Sequence, residues 1–121
     1  MLVLSRYVDE SITFGPESMC TATVRDIQDN VVRLQISDVP PDVVLSTKTK
    51  SVVSSGDPME FVVSRDEDLK VEFREHGGEV QIIFVHSRYH KVRLGVDTPK
   101  EWPVHRKEVY DAIRREAERE G

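Results

Sequence analysis

The stretch "VRLGVDTPKEWPVHRKEVY", Val92 to Tyr110, has a diverged counterpart earlier in the chain, "VRLQISDVPPDVVLSTKTK", Val32 to Lys50. Both stretches begin as an alternating strand pattern, pass through a turn that contains proline, and return to a strand pattern. The second copy ends in His105-Arg106, where the first copy has Ser46-Thr47. The chain therefore carries a repeat whose two copies differ at their ends.

The similarity extends towards the start of each copy. "EFVVSRDEDLKVEF", Glu60 to Phe73, aligns with "MLVLSRYVDESITF", Met1 to Phe14, so that Arg65 falls on Arg6. Between this alignment and the end of the Val32–Lys50 alignment, the offset between the two copies changes twice by one residue. Both changes lie in predicted turns. Shifts confined to turns are typical of a duplication.

Length and composition favour one domain. A chain of 121 residues with 38% hydrophobic content can form one compact core but has too little apolar material for two. The single cysteine, Cys20, excludes an intramolecular disulfide, and no apolar run has the length of a signal sequence or membrane span. We therefore expect a cytoplasmic protein without a membrane partner.

The formal charge of −5 argues against a broad basic face for sequence-independent nucleic-acid binding, so DNA is not an expected partner. It leaves a small, local RNA site open. No nucleophile elbow, phosphate-binding glycine loop or HExxH motif is present, so neither an enzyme nor a cofactor is expected. The histidines lack companion ligands at metal-binding spacing, so no metal site is expected either; they are His76, His86, His90 and His105.

Short strands on either side of a polar linker account for most of the chain. The linker "KTKSVVSSGDP", Lys48 to Pro58, could reach about 30 Å when extended. From Arg106 onwards helix formers dominate, with a narrow apolar stripe and Gly121 as a stop signal. The stripe is Val109, Ile113 and Ala117. The predicted strands are Met1–Arg6, Ser11–Phe14, Cys20–Ile27, Val31–Ile36, Asp42–Thr47, Glu60–Arg65, Leu69–Phe73, Val80–His86, Lys91–Val96 and Trp102–His105.

Two segments carry a family resemblance. "MLVLSR" at the N-terminus, followed by Asp9-Glu10, and the later "VRLGVDTPKEWPVHRKEVYDAI" are similar to the carbon storage regulator (CsrA/RsmA) family of small bacterial translational regulators. Members of that family are about half as long and work as intertwined homodimers. The resemblance implies a single-chain pseudo-dimer with one compact domain: residues 1–48 as one copy without its helix, 49–58 as the linker, and 59–121 as a second copy with it.

The implied fold is mainly β, with two mixed, largely antiparallel five-stranded sheets that share one core, and one C-terminal α-helix. Since one chain supplies both copies, we expect a monomer. Pro103 has no N–H to donate, so the last strand is expected at a sheet edge. Trp102 fits either a core position or a stacking platform for a base.

The resemblance also implies an RNA site. Family members bind hairpins with a GGA loop where the first strand of one copy lies beside the last strand of the other, and Glu108 matches a flanking position there. Alternation along a strand independently groups Leu4 with Arg6 and Val104 with Arg106, an apolar residue beside an arginine that suits a single-stranded loop. The implied RNA-binding residues are Leu4, Arg6, Val104, His105, Arg106 and Val109.

The mirror site is expected to be degenerate. Its residues in the sequence alignment are Val63, Arg65, Leu45 and Thr47. Because Thr47 replaces an arginine and Ser46 a histidine, affinity there should fall tenfold or more. We expect one competent RNA site per chain.

Two other interpretations remain open on the sequence. Arg6 and Arg106 could be ordinary solvated strand arginines, and the chain could be a protein-interaction module that kept the fold but lost its RNA affinity. The acidic balance and the highly charged helix favour the latter. A protein antagonist is also a possible partner, since family members are held by such proteins.

Overall fold

The computed structural model describes residues 1–120, so Gly121, the predicted helix stop, lies outside the described residues. Within that range the chain forms eleven strands, a short 3-10 helix and one α-helix. The strands are β1 (Leu2–Tyr7), β2 (Ser11–Phe14), β3 (Cys20–Ile27), β4 (Val31–Ser37), β5 (Val44–Ser46), β6 (Ser51–Val53), β7 (Met59–Ser64), β8 (Asp68–Phe73), β9 (Gly78–Arg88), β10 (Lys91–Asp97) and β11 (His105–Arg106). The helices are the 3-10 turn Pro16–Ser18 and α1 (Lys107–Glu120).

The strands form two sheets. One has six strands in the order β1-β10-β9-β8-β5-β6, and the other has five in the order β11-β2-β3-β4-β7. The expectation of a mainly β fold with two sheets and a C-terminal helix is confirmed. It was wrong in two details, because one sheet has a sixth strand and every strand pair of residues 1–120 is antiparallel.

The two halves of the chain exchange their first strands. β1 pairs with β10 of the second half, with Leu4 opposite Leu94. β7 pairs in return with β4 of the first half, with Phe61 opposite Leu34. Neither half therefore completes a sheet with its own strands.

One hydrophobic core lies between the sheets. The inward residues of β10, Val92, Leu94 and Val96, are at most 1% exposed, while Lys91 and Arg93, on either side of Val92, are exposed. This alternation is expected for a strand with one buried face. All four phenylalanines are also at most 1% exposed, and burying each side chain contributes about 1.5–3 kcal/mol. They come from both halves: Phe14, Phe61, Phe73 and Phe84.

The predicted linker is partly a strand. β6 pairs antiparallel with β5, with Val52 opposite Leu45, and the turn is closed by a hydrogen bond from Thr47 N to Lys50 O of 2.8 Å. Val52 packs against the core, and this apolar contact draws the segment onto the sheet. The linker therefore covers the outer side of β5 instead of crossing the molecule as an irregular chain.

The C-terminal region begins later than predicted. The last strand starts at His105, after Pro103, and it lies at a sheet edge as expected. Trp102 is half-buried, with its ring 5.2 Å from that of Phe73, which matches the core interpretation. α1 starts at Lys107, and Ile113 is 50% exposed, so the helix is held mainly through its first turns.

Candidate nucleic-acid interface

The first strand is joined to the start of the C-terminal helix, which directly follows the last strand in the other sheet. The guanidinium of Arg6 on β1 donates to both carboxylate oxygens of Glu108 at the start of α1, at 2.8 and 3.0 Å. Arg6 also donates to the carbonyl oxygens of Ser11 and Ser5, at 3.1 and 2.8 Å. We call the surface formed by β1, β11 and the first turn of α1 the first edge.

Arg6 is only 4% exposed, so its charge is compensated inside the protein. Its hydrogen bond lowers the pKa of Glu108 to about 2, and the same pair raises the pKa of Arg6. Both groups therefore stay ionised throughout the neutral range. The sequence predicted that Arg6 contacts the RNA directly. In the structure its guanidinium instead binds α1 and the backbone, so Arg6 positions the helix against the first strand.

Arg106 is the exposed cation of the first edge. It lies on β11 opposite Ile12, and its side chain points to solvent. His105 is half-buried, with its ring stacked on that of Tyr110 at a centroid distance of 6.2 Å. The apolar residues predicted for the site are also half-buried, so each retains a solvent-facing part; they are Leu4, Val104 and Val109.

The register of the opposite edge differs from the sequence alignment by two residues. In the six-stranded sheet, Arg6 lies opposite Val92. At the equivalent place in the five-stranded sheet, Val63 lies opposite Val32. The following turns confirm this, because Asp9 N bonds to Val24 O and Asp66 N bonds to Phe84 O in the same way. Val63, not Arg65, therefore holds the position of Arg6.

A longer hairpin causes the shift. The β8–β9 hairpin pairs as far as Phe73 opposite Gly78, whereas β2–β3 ends at Phe14 opposite Cys20. The β8–β9 hairpin thus contains extra residues. Because the sequence alignment did not include this insertion, it matched β7 to β1 in the wrong register. Ser5-Arg6 and Ser64-Arg65 therefore have the same residue types but do not occupy equivalent positions.

The four residues of the expected second site do not form one surface. Val63 and Leu45 are at most 1% exposed, and Leu45 lies between Val71 of β8 and Val52 of β6. Arg65 is exposed but lies beside His86, with 3.5 Å between its Nη2 and the ring Nδ1. Thr47 belongs to the β5–β6 turn. We call the outer side of β5, covered by β6, the second edge.

Sequence reasoning placed Glu108 near the site but missed its partner. The Arg6–Glu108 pair joins residues 102 positions apart, and no local spacing pattern reports such a contact. Within residues 1–120, no group of three potential metal ligands occurs, and no helix there is long and apolar enough to cross a membrane.

Two antiparallel sheets with exchanged first strands, and an edge composed from both halves, define a class of small intertwined β-sheet proteins. Residues 61–115 match the family model of CsrA, described as a global regulator protein family. The translational regulator CsrA of Rhodopirellula baltica is 58% identical over 40 residues, which cover 33% of this chain and 57% of that protein. No solved structure matches the chain. Residues 61–115 are therefore similar to the CsrA family, and the chain spans little more than half the length of the curated relative it matches.

Proposed function

We propose that the chain is an RNA-binding translational regulator that recognises GGA-containing hairpin loops through the first edge. The observation that carries the proposal is the Arg6–Glu108 pair, which joins the first strand to the start of the helix that follows the last strand, while Arg106 at the end of the last strand faces solvent. The match to the CsrA family and the translational regulator from Rhodopirellula baltica support it. Bound near a ribosome-binding site, the protein would alter translation by occupancy.

The chemistry of the first edge suits a single-stranded loop. The planar guanidinium of Arg106 can donate two parallel hydrogen bonds to a guanine edge or to a phosphate. Leu4, Val104 and Val109 offer apolar surface on which a splayed base or ribose packs. His105 is held beside Arg106 by its stacking on Tyr110.

The second edge is proposed to bind no RNA. The position equivalent to Arg6 is taken by the buried Val63 of β7, and at the end of β5 Thr47 replaces Arg106. β6 moreover occupies the pairing side of β5, whereas no strand of residues 1–120 pairs with the corresponding side of β11. The affinity therefore resides in one site per chain.

The asymmetry fits an ancestral duplication. Residues 1–48 and 59–121 would be two copies of one family unit, joined by residues 49–58, which became a cover for the second edge. A single chain would then do the work of a dimer as a cytoplasmic monomer, and light scattering should give the mass of one chain.

Isothermal titration calorimetry with a short GGA hairpin tests the proposal. We expect saturation at one hairpin per chain, no comparable binding of a hairpin with a CCA loop, and at least a tenfold loss for Arg106→Ala. Arg25→Ala is the matched control, because Arg25 is an exposed arginine on β3, outside the first edge, and is paired with Asp9. Two equal hairpins per chain would contradict the single site. No binding even at low salt would favour a protein-interaction module.

A further inference from the structure

The outer face of the six-stranded sheet carries a cluster of cations beside the β9–β10 turn. His86 lies opposite Arg93, and Arg88 lies opposite Lys91. Arg65 joins them, with its guanidinium 3.5 Å from the ring of His86. All five side chains are exposed. We call these five residues the basic face.

The basic face has no internal compensation. None of its lysine and arginine side chains takes part in a salt bridge with any residue in the range 1–120. Arg88 and Lys91 face each other directly across the hairpin, an arrangement of like charges that destabilises a strand pair. Such a concentration of charge is unexpected in a chain with a formal charge of −5. A bound polyanion would relieve the repulsion.

The other sheet supplies an internal comparison, because the same positions there are neutralised. Arg33 occupies the place of Arg93, but it lies opposite Asp26 and its guanidinium is 3.6 Å from the carboxylate of Glu60. The place of Lys91 is taken there by Val31. The outward arginines of β3 and β4, Arg25 and Arg33, are therefore paired with carboxylates, while the cations of the basic face are not.

Two exposed tyrosines accompany the cations. Tyr89 at the hairpin turn is 79% exposed, and the guanidinium of Arg88 lies 4.8 Å from its ring. Tyr7 on β1 is 51% exposed, pairs opposite Lys91, and has the Lys91 ammonium 5.9 Å from its ring. Tyr7 lies on β1, the strand that also carries Arg6, but it faces the outer side of the sheet, so the basic face and the first edge share this strand. Cations interleaved with exposed aromatic rings are the usual surface for single-stranded nucleic acid.

We propose that the basic face binds the single-stranded RNA that flanks a hairpin held at the first edge. The inference rests on the proposed function and extends it from the loop to its flanks. Arg88, Lys91 and Arg93 contact phosphates, and Tyr7 and Tyr89 stack on bases. The protein thereby prefers hairpins within unpaired leader RNA over isolated hairpins, and this preference falls with salt.

Fluorescence anisotropy with two RNAs tests the inference: the GGA hairpin alone, and the same hairpin with single-stranded extensions on both sides. We expect the wild type to bind the extended RNA about tenfold more tightly. The triple variant R88Q/K91Q/R93Q should lose that gain and keep its affinity for the bare hairpin. Its salt slope should fall by about 2, since each phosphate contact to a single strand contributes about 0.7.

The matched control is R25Q/R33Q, which removes two outward arginines from the other sheet and should keep the gain. Thermal unfolding checks the fold, and the triple variant should be at least as stable as the wild type because it loses like-charge repulsion.

The inference is overturned if the extensions add no affinity, if the triple variant keeps the gain, or if the triple variant binds both RNAs equally more weakly. If the hairpin does not bind at all, the proposed function fails. In that case the basic face is tested with single-stranded RNA alone. Binding by the wild type that is lost in the triple variant supports the inference, and no binding by the wild type overturns it.

Discussion

The carboxylate of Glu108 lies 2.8 and 3.0 Å from the two terminal nitrogens of Arg6, a residue 102 positions earlier in the chain. The two ends of the pair differ in environment, because the Arg6 side chain is 5% exposed and that of Glu108 is 57% exposed. A buried arginine thus fixes the start of the helix onto the first strand. The geometry of the first edge depends on this pair.

Removing the carboxylate should destabilise the fold. Glu108→Ala leaves the buried Arg6 with two backbone carbonyls and the carboxylate of Glu10, 3.8 Å from its Nε, and we expect a loss of about 1–2 kcal/mol, reduced from the usual range because Glu108 is partly solvated. Urea unfolding measures the change. Glu118→Ala is the control, since it breaks an exposed pair with Arg114 and should cost less than about 0.5 kcal/mol. Equal losses in both variants would argue against a special role for the Arg6 pair.

The same pair predicts a pH dependence. The pKa of Glu108 is lowered from 4.5 to about 2 in the folded protein, so its contribution to stability is complete above pH 4.5 and is lost as the pH falls towards 2. The stability difference between wild type and Glu108→Gln should therefore shrink across that window. Urea unfolding at several pH values measures it. A difference that stays constant would contradict the pairing.

The single thiol should be inert while the protein is folded. Cys20 is fully buried, and burial together with nearby Asp38 raises its pKa to about 12, so the reactive thiolate is not formed near neutral pH. Iodoacetamide at neutral pH should label the protein only after unfolding in urea, as mass spectrometry would record. Fast labelling of the native protein would mean that the β2–β3 region opens.

Restoring the family residues at the second edge should not create a second RNA site. The double variant Ser46→His/Thr47→Arg supplies the missing side chains, but β6 still covers the outer side of β5. We expect calorimetry to give one hairpin per chain, as for the wild type. Adding Val52→Asp, which places a charge on the core side of β6, should loosen the cover. A second binding event in the first variant alone would show that β6 is no barrier.

Contact between Gly78 and the single tryptophan offers a test of core packing. A Cβ added at Gly78 would lie 2.8 Å from Cζ2 and 3.0 Å from Cζ3 of Trp102, so the indole must move. We expect Gly78→Ala to cost about 1–3 kcal/mol and to change the tryptophan emission. Gly77→Asn is the control, because that position is open and asparagine tolerates its φ of +68°. An unchanged emission in Gly78→Ala would contradict the packing described for Trp102.

The sequence predicted most of the fold because the apolar alternation is clear in the longer strands. In β10, Val92, Leu94 and Val96 share one face and Lys91, Arg93 and Asp97 lie on the other, which leaves one solution for which face is buried. The edge position of the last strand also followed from local chemistry, through Pro103. The linker strand was missed because three residues, Ser51–Val53, are too few for a periodicity to be recognised.

The candidate site was less accessible to sequence reasoning. Arg106 could be singled out from the segment that carries the family resemblance, but the burial of Arg6 depends on a carboxylate that reaches it from the C-terminal helix. The register at the second edge was wrong because a hairpin insertion near Phe73 was unseen, so Arg65 was matched to Arg6 when Val63 holds that place. Long-range pairs and insertions change contacts without changing the local pattern.

The exchange of first strands also sets the order in which the molecule can assemble during synthesis. Leu2–Tyr7 leaves the ribosome well before its sheet partner, Lys91–Asp97, has been made. Contacts so distant in sequence form slowly, and the nascent chain keeps apolar strands unpaired until then. A product that stops before Lys91 would retain β1 without a neighbour and should be degraded, so a cell obtains this fold either completely or not at all.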